Sequence, residues 1–457
     1  MQKNTGLIRD FTTGNITAHL ISFGAPLFFS NLLQAVYNMV DMVVVGQYVG
    51  KNGLSAVSIG GDVLMLLTFL SMGFSMAGQV IIAQHIGAGK REQIGKIIGN
   101  LFVLLLSCAA VLTIVCFCFR SQILTFMNTP SEVWDYTMSY ATTCILGLIF
   151  IYGYNVVSAV LRGMGDSRHP FMFIATAAVL NLVLDLLFVA VFHMAAFGAA
   201  LATVIGQGVS FIWGLIFFIR RHRSLEIGLN RECFYPDKAV VNTIVRLGVP
   251  MALKSASISF SKVFVDSRIN AFGVIASSAS GIESKLNTIS NLFSNAINVS
   301  GSTMIGQNIG AEKYDRVPKI MFTAFKVTAS IAVILSLVLI VFPGTVFGIF
   351  TGDADVIRAS MQMIPLLVLI FAGTAVRSPN NGLIDGSGNY KLNFVTAILD
   401  GIINRIGFAM LFGLVMNMGW IGYLYGDAVA GLTPLLIGGV YFLSGSWRTR
   451  KYVIHEN

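Results

Sequence analysis

Gln84-His85-Ile86-Gly87-Ala88 recurs as Gln307-Asn308-Ile309-Gly310-Ala311, 223 positions further on. At nearly the same spacing Gly24-Ala25-Pro26 returns as Gly248-Val249-Pro250, Arg162-Gly163-Met164-Gly165-Asp166 as Asp385-Gly386-Ser387-Gly388-Asn389, and Asn181 as Asn404. Chance rarely preserves one offset through four patches, so the chain reads as a duplication, one structural unit written twice. Long apolar runs fill the intervals, near residues 17–45, 54–84, 94–118, 133–161, 171–193 and 197–219 in the first copy and 241–272, 276–309, 319–342, 356–384, 391–416 and 420–444 in the second. About 20 mostly apolar residues cross the hydrocarbon of a bilayer as a helix. The sequence therefore predicts an all-α membrane protein of twelve transmembrane helices in two pseudo-symmetric six-helix bundles. The expected division is an N-lobe at 1–219, a linker loop at 220–240 and a C-lobe at 241–457.

Composition agrees. Charged residues make up 11% of the 457 positions, the apolar share is 55% and the mean hydropathy is +0.77, whereas soluble domains carry about 25% charged residues. A soluble fold would lack the polar surface to cover such a core. The net charge of +9 would suit nucleic acid if the cations clustered on one face. They lie instead in short gaps between apolar runs, so no nucleic-acid partner is expected. Lys3, Arg9, Lys90, Arg91, Lys96, Arg162, Arg168, Arg220, Arg221, Arg223, Arg231, Lys238, Lys313, Arg316, Lys319, Lys391, Arg448, Arg450 and Lys451 fall on one set of alternate segments, and only Lys51, Arg120 and Arg358 on the other. By the positive-inside rule both termini and the linker are expected to be cytoplasmic. Each copy holds an even number of spans, which makes the repeats parallel and places a substrate path at their interface. Met1 to Asn15 is polar and has no cleavable leader pattern, so the first helix is expected to serve as its own insertion signal. Cys108, Cys116, Cys118, Cys144 and Cys233 show no metal-type spacing and read as packing residues.

Ionisable groups inside a bilayer are costly unless paired or wet, so each is a functional candidate. Asn31, Gln34, Asn38 and Asp41 share one face of the first helix, at spacings of three and four. Asn181 and Asp185 share a face of the fifth, and Thr203 lies on the sixth. Two carboxylates, an amide oxygen and a hydroxyl form a hard oxygen set that suits Na⁺. The same carboxylates could instead share a proton. The second copy departs from this pattern: Val265, with Asp266 beside it, stands opposite Asp41, and Phe408 opposite Asp185, so no equivalent cage is expected there. It carries Lys254, Lys262, Arg268, Lys285, Arg377 and Arg405, with Asp266, Glu283 and Asp400 as possible partners, and a ridge of Glu283, Asn287, Asn291, Asn295 and Asn298 expected to line a cavity. Lys262 and Asp266, four apart, are expected to pair locally. Lys254 and Arg405 fall near the membrane midplane. Few acidic groups share their depth, and Asp400 is out of helical register with Arg405, so positive charge is expected to remain exposed. Pro26, Pro250 and Pro365 lie within spans and favour kinks.

The repeated Gly-x-Pro openings, Asn38-Met39-Val40-Asp41 ahead of Gly46, and the signature from Gln84 to Lys90 with its echo resemble the MATE (multidrug and toxic compound extrusion) transporter family over nearly the whole length. The resemblance implies two six-helix lobes in a V around a central cavity. It implies export of small amphipathic, often cationic, organic compounds in exchange for Na⁺ or H⁺, with no further cofactor. It also implies a prokaryotic cytoplasmic (inner) membrane and a monomer. One prokaryotic branch places its N-lobe cation site at residues that match Asp41, Asn181, Asp185 and Thr203 here. Asn31, Gln34, Asn38, Lys254, Lys262, Asp266, Glu283, Asn287, Asn291 and Arg405 are the candidate substrate-cavity residues, and an acidic N-lobe opposite a basic C-lobe would suit a zwitterionic or partly anionic substrate. The alternative is a flippase for a lipid-linked glycan from the same superfamily. An enzyme is not expected, since no His-rich or Cys-rich constellation is present. Nor is an ATP-driven pump, since no Gly-x-x-x-x-Gly-Lys-Ser/Thr loop occurs.

Overall fold

The computed structural model describes residues 8–221 and 227–449. Lys3, Arg223, Arg450, Lys451 and the extreme termini, which entered the topology argument, lie outside the described residues. Twelve helical passages follow one another: α1 (Ile16–Tyr48), α2 (Lys51–Gly87), α3 (Arg91–Cys118), α4 (Ser131–Leu146 with Leu148–Gly163), α5 (Arg168–Val191), α6 (Ala195–Arg221), α7 (Lys238–Asn270), α8 (Val274–Gly310), α9 (Arg316–Val341), α10 (Ala354–Met361 with Ile364–Gly386), α11 (Tyr390–Val415) and α12 (Gly419–Leu443). Eight of these are long and apolar enough to cross a membrane unaided, and the bent pairs α4 and α10 raise the number to ten. The remaining two, α7 and α8, fall short in apolarity. At 33 and 37 residues they have ample length, about 50 Å or more at 1.5 Å per residue. Their polarity comes from Lys254, Lys262, Asp266, Glu283 and a run of amides, which is the composition of helices that turn one face away from lipid.

The duplication is visible element by element. α1 and α7 each span 33 residues around an interior proline, Pro26 and Pro250. α2 and α8 each span 37. α4 bends by 46° at Gly147, and α10 bends by 56° at a break after which Pro365 opens the second segment, where a missing N–H costs least. α5 and α11 both finish in a π-helical turn, Leu186–Val191 and Leu411–Val415.

Two compact units result. One comprises Ala25–Gly248 with the described part of Met1–Asp10, the other Phe11–Gly24 with the described part of Val249–His455. These limits cross the expected 219/241 division at the starts of α1 and α7. The repeated glycines explain the crossing: a Cβ on Gly248 would lie 2.1 Å from Phe74 Cδ1 in the first unit, and one on Gly24 would lie 3.1 Å from Ser300 Oγ in the second. Each glycine lets a helix start approach closely. The duplicated signature has a structural use as well. In the second unit Gln307 Oε1 accepts the Phe11 N–H at 2.9 Å, and Asn308 Nδ2 donates to the Phe11 carbonyl at 3.1 Å. This fixes the segment that leads into α1.

Candidate cation site and a buried ion-pair network

In the first unit α1, α5 and α6 bring Asp41, Asn181, Asp185 and Thr203 together. The Thr203 hydroxyl donates to Asp41 Oδ2 at 3.4 Å, and Asn181 Nδ2 donates to Thr203 Oγ1 at 3.4 Å. The Asp185 carboxyl lies directly against that of Asp41. Asp41, Asn181 and Asp185 are 4%, 3% and 0% exposed. A close α5–α6 approach at Gly206, where a Cβ would sit 3.2 Å from the Ala177 carbonyl, keeps the two helices in register. Four oxygens in this cluster meet no donor: Asp41 Oδ1, Asn181 Oδ1 and both oxygens of Asp185. Buried acceptors without partners are expensive, and two carboxylates in contact repel as well. The set is acceptor-rich and carries at most two negative charges. That chemistry fits a proton or a monovalent cation such as Na⁺.

The other polar groups of α1 are not part of this cluster. Asn31 and Gln34 are half-buried and Asn38 is exposed. In the second unit Asn404, the counterpart of Asn181, donates to Thr433 Oγ1 at 2.8 Å, so the amide–hydroxyl pair is kept while the carboxylates are not.

The expectation of unpaired charge on Lys254 and Arg405 is corrected. Lys254 Nζ lies 3.2 Å from Asp385 Oδ1 and donates to Asn393 Oδ1 at 3.2 Å, while Asn298 secures the other Asp385 oxygen at 3.3 Å. Arg405 is 4% exposed and bridges Asp427, in a short contact, and Asp400 at 3.1 Å. Asp400 reaches Arg405 from five residues away because Leu399–Ile403 is a π-helical turn. A π turn aligns residues five apart, where an α-turn does not. Asp427 and Asp385 were missed as partners because each sits on a different helix from its cation. Lys262 and Asp266 attract each other but are not within ion-pair distance, and Asp266 accepts from Ser280 at 3.5 Å. The α8 ridge is a directed chain: Arg377 donates to Asn291 Oδ1 at 2.5 Å, Asn291 to Asn287 Oδ1 at 2.8 Å, and Asn287 to Glu283 Oε1 at 3.2 Å. Asn298 leaves the chain for Asp385, and Asn295 is exposed.

Fold and site together define a multi-pass membrane protein built from a repeated six-helix unit, with an acceptor-rich buried cluster in one copy and an ion-pair network in the other. The MatE family profile matches residues 26–187 and again 250–411, and the chain belongs to that family of transporters. It is 26% identical over 442 residues to the probable multidrug resistance protein YpnP of Bacillus subtilis, covering 97% of this chain and 98% of that one. It is 25% identical over 451 residues to the probable multidrug resistance protein NorM of Thermotoga maritima, covering 96% and 95%. Among solved structures, an outward-facing multidrug resistance MATE family transporter of the MOP superfamily superposes with a TM-score of 0.89 at 20% identity, over 99% of this chain and 100% of that one. A MOP superfamily transporter of Pyrococcus furiosus, described as having a binding pocket of reverse polarity, gives 0.88 at 21% identity over 97% and 99%.

Proposed function

We propose that this protein is a secondary antiporter that exports small amphipathic organic compounds in exchange for Na⁺ or H⁺ by alternating access. The observation that carries the reading is the set of four buried acceptor oxygens without donors at Asp41, Asn181 and Asp185. A group of this kind is stable only with a proton or cation aboard, so its occupancy is linked to the helices that build it. α1 is the element through which that linkage runs. It carries Asp41 and, at Pro26, lacks one backbone hydrogen bond. The Ser30 hydroxyl bonds the Pro26 carbonyl at 2.8 Å.

In this reading the first unit is the N-lobe and the second the C-lobe. The protein works as a monomer in the cytoplasmic membrane of a prokaryote, without cofactor, and drug-like compounds are its cargo, as the names of its relatives suggest for them. The glycan-flippase alternative drew on a basic second half, and the pairing of Lys254 and Arg405 with carboxylates removes most of that support. The test is efflux of an organic cation from proteoliposomes under separately imposed Na⁺ and pH gradients. Asp41→Asn and Asp185→Asn are expected to abolish the gradient-driven component while the protein still inserts and purifies normally. Gradient-driven efflux at the wild-type rate in either variant would make that carboxylate structural.

A further inference from the structure

Lys262 and Arg377 are two cations of the second unit that stand outside the ion pairs among the described residues. Lys254 and Arg405 have carboxylate partners, whereas among the described residues no carboxylate comes within ion-pair distance of Lys262 or Arg377; Asp266 and Glu283 attract Lys262, and Asp400 and Asp427 attract Arg377, only from farther away. Arg377 donates to a neutral amide, Asn291. Both cations line one cavity of about 90 Å³, together with Asn287, Asn291, Arg405 and Asp427. The charges on its wall are thus three cations and one carboxylate, and that carboxylate is engaged by Arg405. Asp266, Glu283 and Asp400 are not among the wall residues.

The amides reinforce the bias. Because the chain of donors runs from Arg377 through Asn291 and Asn287 to Glu283, the oxygens of both asparagines already accept a hydrogen bond. Beside the Thr374 hydroxyl and the second Asp427 oxygen, what the wall still offers is mainly donors: the three N–H groups of an ammonium and the remaining face of a guanidinium. A cation finds few free acceptors here, whereas an anion meets two charges that have no ion pair of their own.

We propose that this cavity is a binding site for a monovalent oxygen anion, with a carboxylate as the best fit, held between Lys262 and Arg377. Guanidinium and ammonium groups hold carboxylates through charge-assisted hydrogen bonds, and the planar guanidinium adds orientation. The volume admits a headgroup rather than a drug-sized body, so only the charged end of a larger compound enters. This site is separate in residues and in unit from the cation cluster at Asp41, and the inference does not depend on that assignment.

The test uses the full chain in lipid nanodiscs. Its thermal midpoint is followed during titration with sodium benzoate, with benzamide as the neutral isostere and total sodium and ionic strength held constant with sodium chloride, which offers no oxygen anion. Benzoate is expected to raise the midpoint saturably, as a ligand of the folded state must, and benzamide to leave it unchanged. Lys262→Gln and Arg377→Gln are each expected to weaken benzoate by about tenfold or more, and Lys262→Arg to restore it. Should Arg377→Gln not insert, Asn291→Leu, which removes the acceptor that orients Arg377, reads the same site. Equal effects of benzoate and benzamide, or wild-type benzoate affinity in both cation variants, would overturn the proposal. Counterflow of labelled benzoate into proteoliposomes then separates the two sources of such an anion. Accumulation marks the carboxylate of a transported compound, and binding without accumulation marks a resident anion; either supports the site.

Discussion

Lys254 and Asp385 illustrate how a charge survives in the middle of a membrane helix. The two side chains are 13% and 1% exposed and 3.2 Å apart, with Asn393 and Asn298 completing their hydrogen bonds. Removing one partner of a buried pair leaves the other uncompensated, which costs about 3–5 kcal/mol, whereas replacing both by apolar groups costs far less. Asp385→Asn is therefore expected to lower the thermal midpoint of the purified protein sharply, and the double variant Lys254→Met/Asp385→Leu to recover much of the loss. A double variant no more stable than the single would mean that the two groups are not coupled. The candidate residues themselves were legible in the sequence, since a Lys, an Arg or an Asp in an apolar run is conspicuous. Their partners were not. In the sequence Asp385 stands out only as the repeat counterpart of Arg162, and nothing in a linear pattern shows that 131 positions separate partners that touch. Asp400 is a possible partner by residue type but out of α-helical register with Arg405, a mismatch that the π turn at Leu399–Ile403 annuls.

The linker between α6 and α7 is an element in its own right, and its described part is fastened to the start of α3. Asn100 Oδ1 accepts the Asp237 N–H at 2.7 Å, and its Nδ2 reaches the Cys233 carbonyl at 3.3 Å; Lys96 pairs with Asp237 at 2.6 Å, and the Gly95 N–H donates to the Ile227 carbonyl at 2.8 Å. Gly95 and Gly99, one turn apart, make this approach possible: a Cβ on Gly99 would lie 2.1 Å from the Cys233 carbonyl oxygen. That atom is backbone and cannot swing aside. Gly99→Ala is expected to lift the linker and to speed alkylation of the buried Cys233 several-fold, in a background where the other four cysteines are replaced; an unchanged rate would show that the contact does not hold the linker. The salt bridge adds a pH signature. The hydrogen bond from Lys96, with the Val240 and Ala239 N–H groups, holds the Asp237 carboxyl below its ordinary value. A depressed pKa contributes stability that is complete above the unfolded value, near 3.9, and is lost as pH falls through the lower folded value. Thermal midpoints of wild type and Asp237→Asn are thus expected to differ by a constant amount from pH 5 to 8 and to converge below about pH 4. Both bridge partners face solvent, so the difference is small. The place of the linker could be read from its cations, but its attachment to α3 could not. Gly95 and Gly99 in an apolar run look the same whether they face a helix, a lipid or a loop.

At the scale of the whole molecule, the repeat carried more information than hydropathy. Among the described residues ten spans, counting the two bent pairs, are apolar enough to cross a membrane on that ground alone, whereas the runs at α7 and α8 are weaker because their polar faces depress their average. The 223-residue offset restores them, because α1 and α2 cross the membrane and α7 and α8 are their copies in length and in proline position. The two readings differ in one measurable place. If α7 and α8 both cross, the short turn between them, around Ala271 and Phe272, lies on the face opposite the linker. If neither crosses, that turn stays on the linker's side. By the positive-inside rule the linker, with Arg231 on it and Lys238 at its end, is expected in the cytoplasm, and Lys90, Arg91, Lys313 and Arg316 are expected on that side too. Single cysteines at three exposed positions in a protein stripped of its own five decide the matter. In intact cells an impermeant maleimide is expected to label Ala271→Cys and Glu132→Cys, the latter at the exposed start of α4, and to leave Glu232→Cys on the linker unlabelled until the membrane is opened. Protection of Ala271→Cys together with labelling of Glu132→Cys would remove α7 and α8 from the membrane and with them the six-plus-six fold. Labelling of Glu232→Cys from outside would reverse the topology.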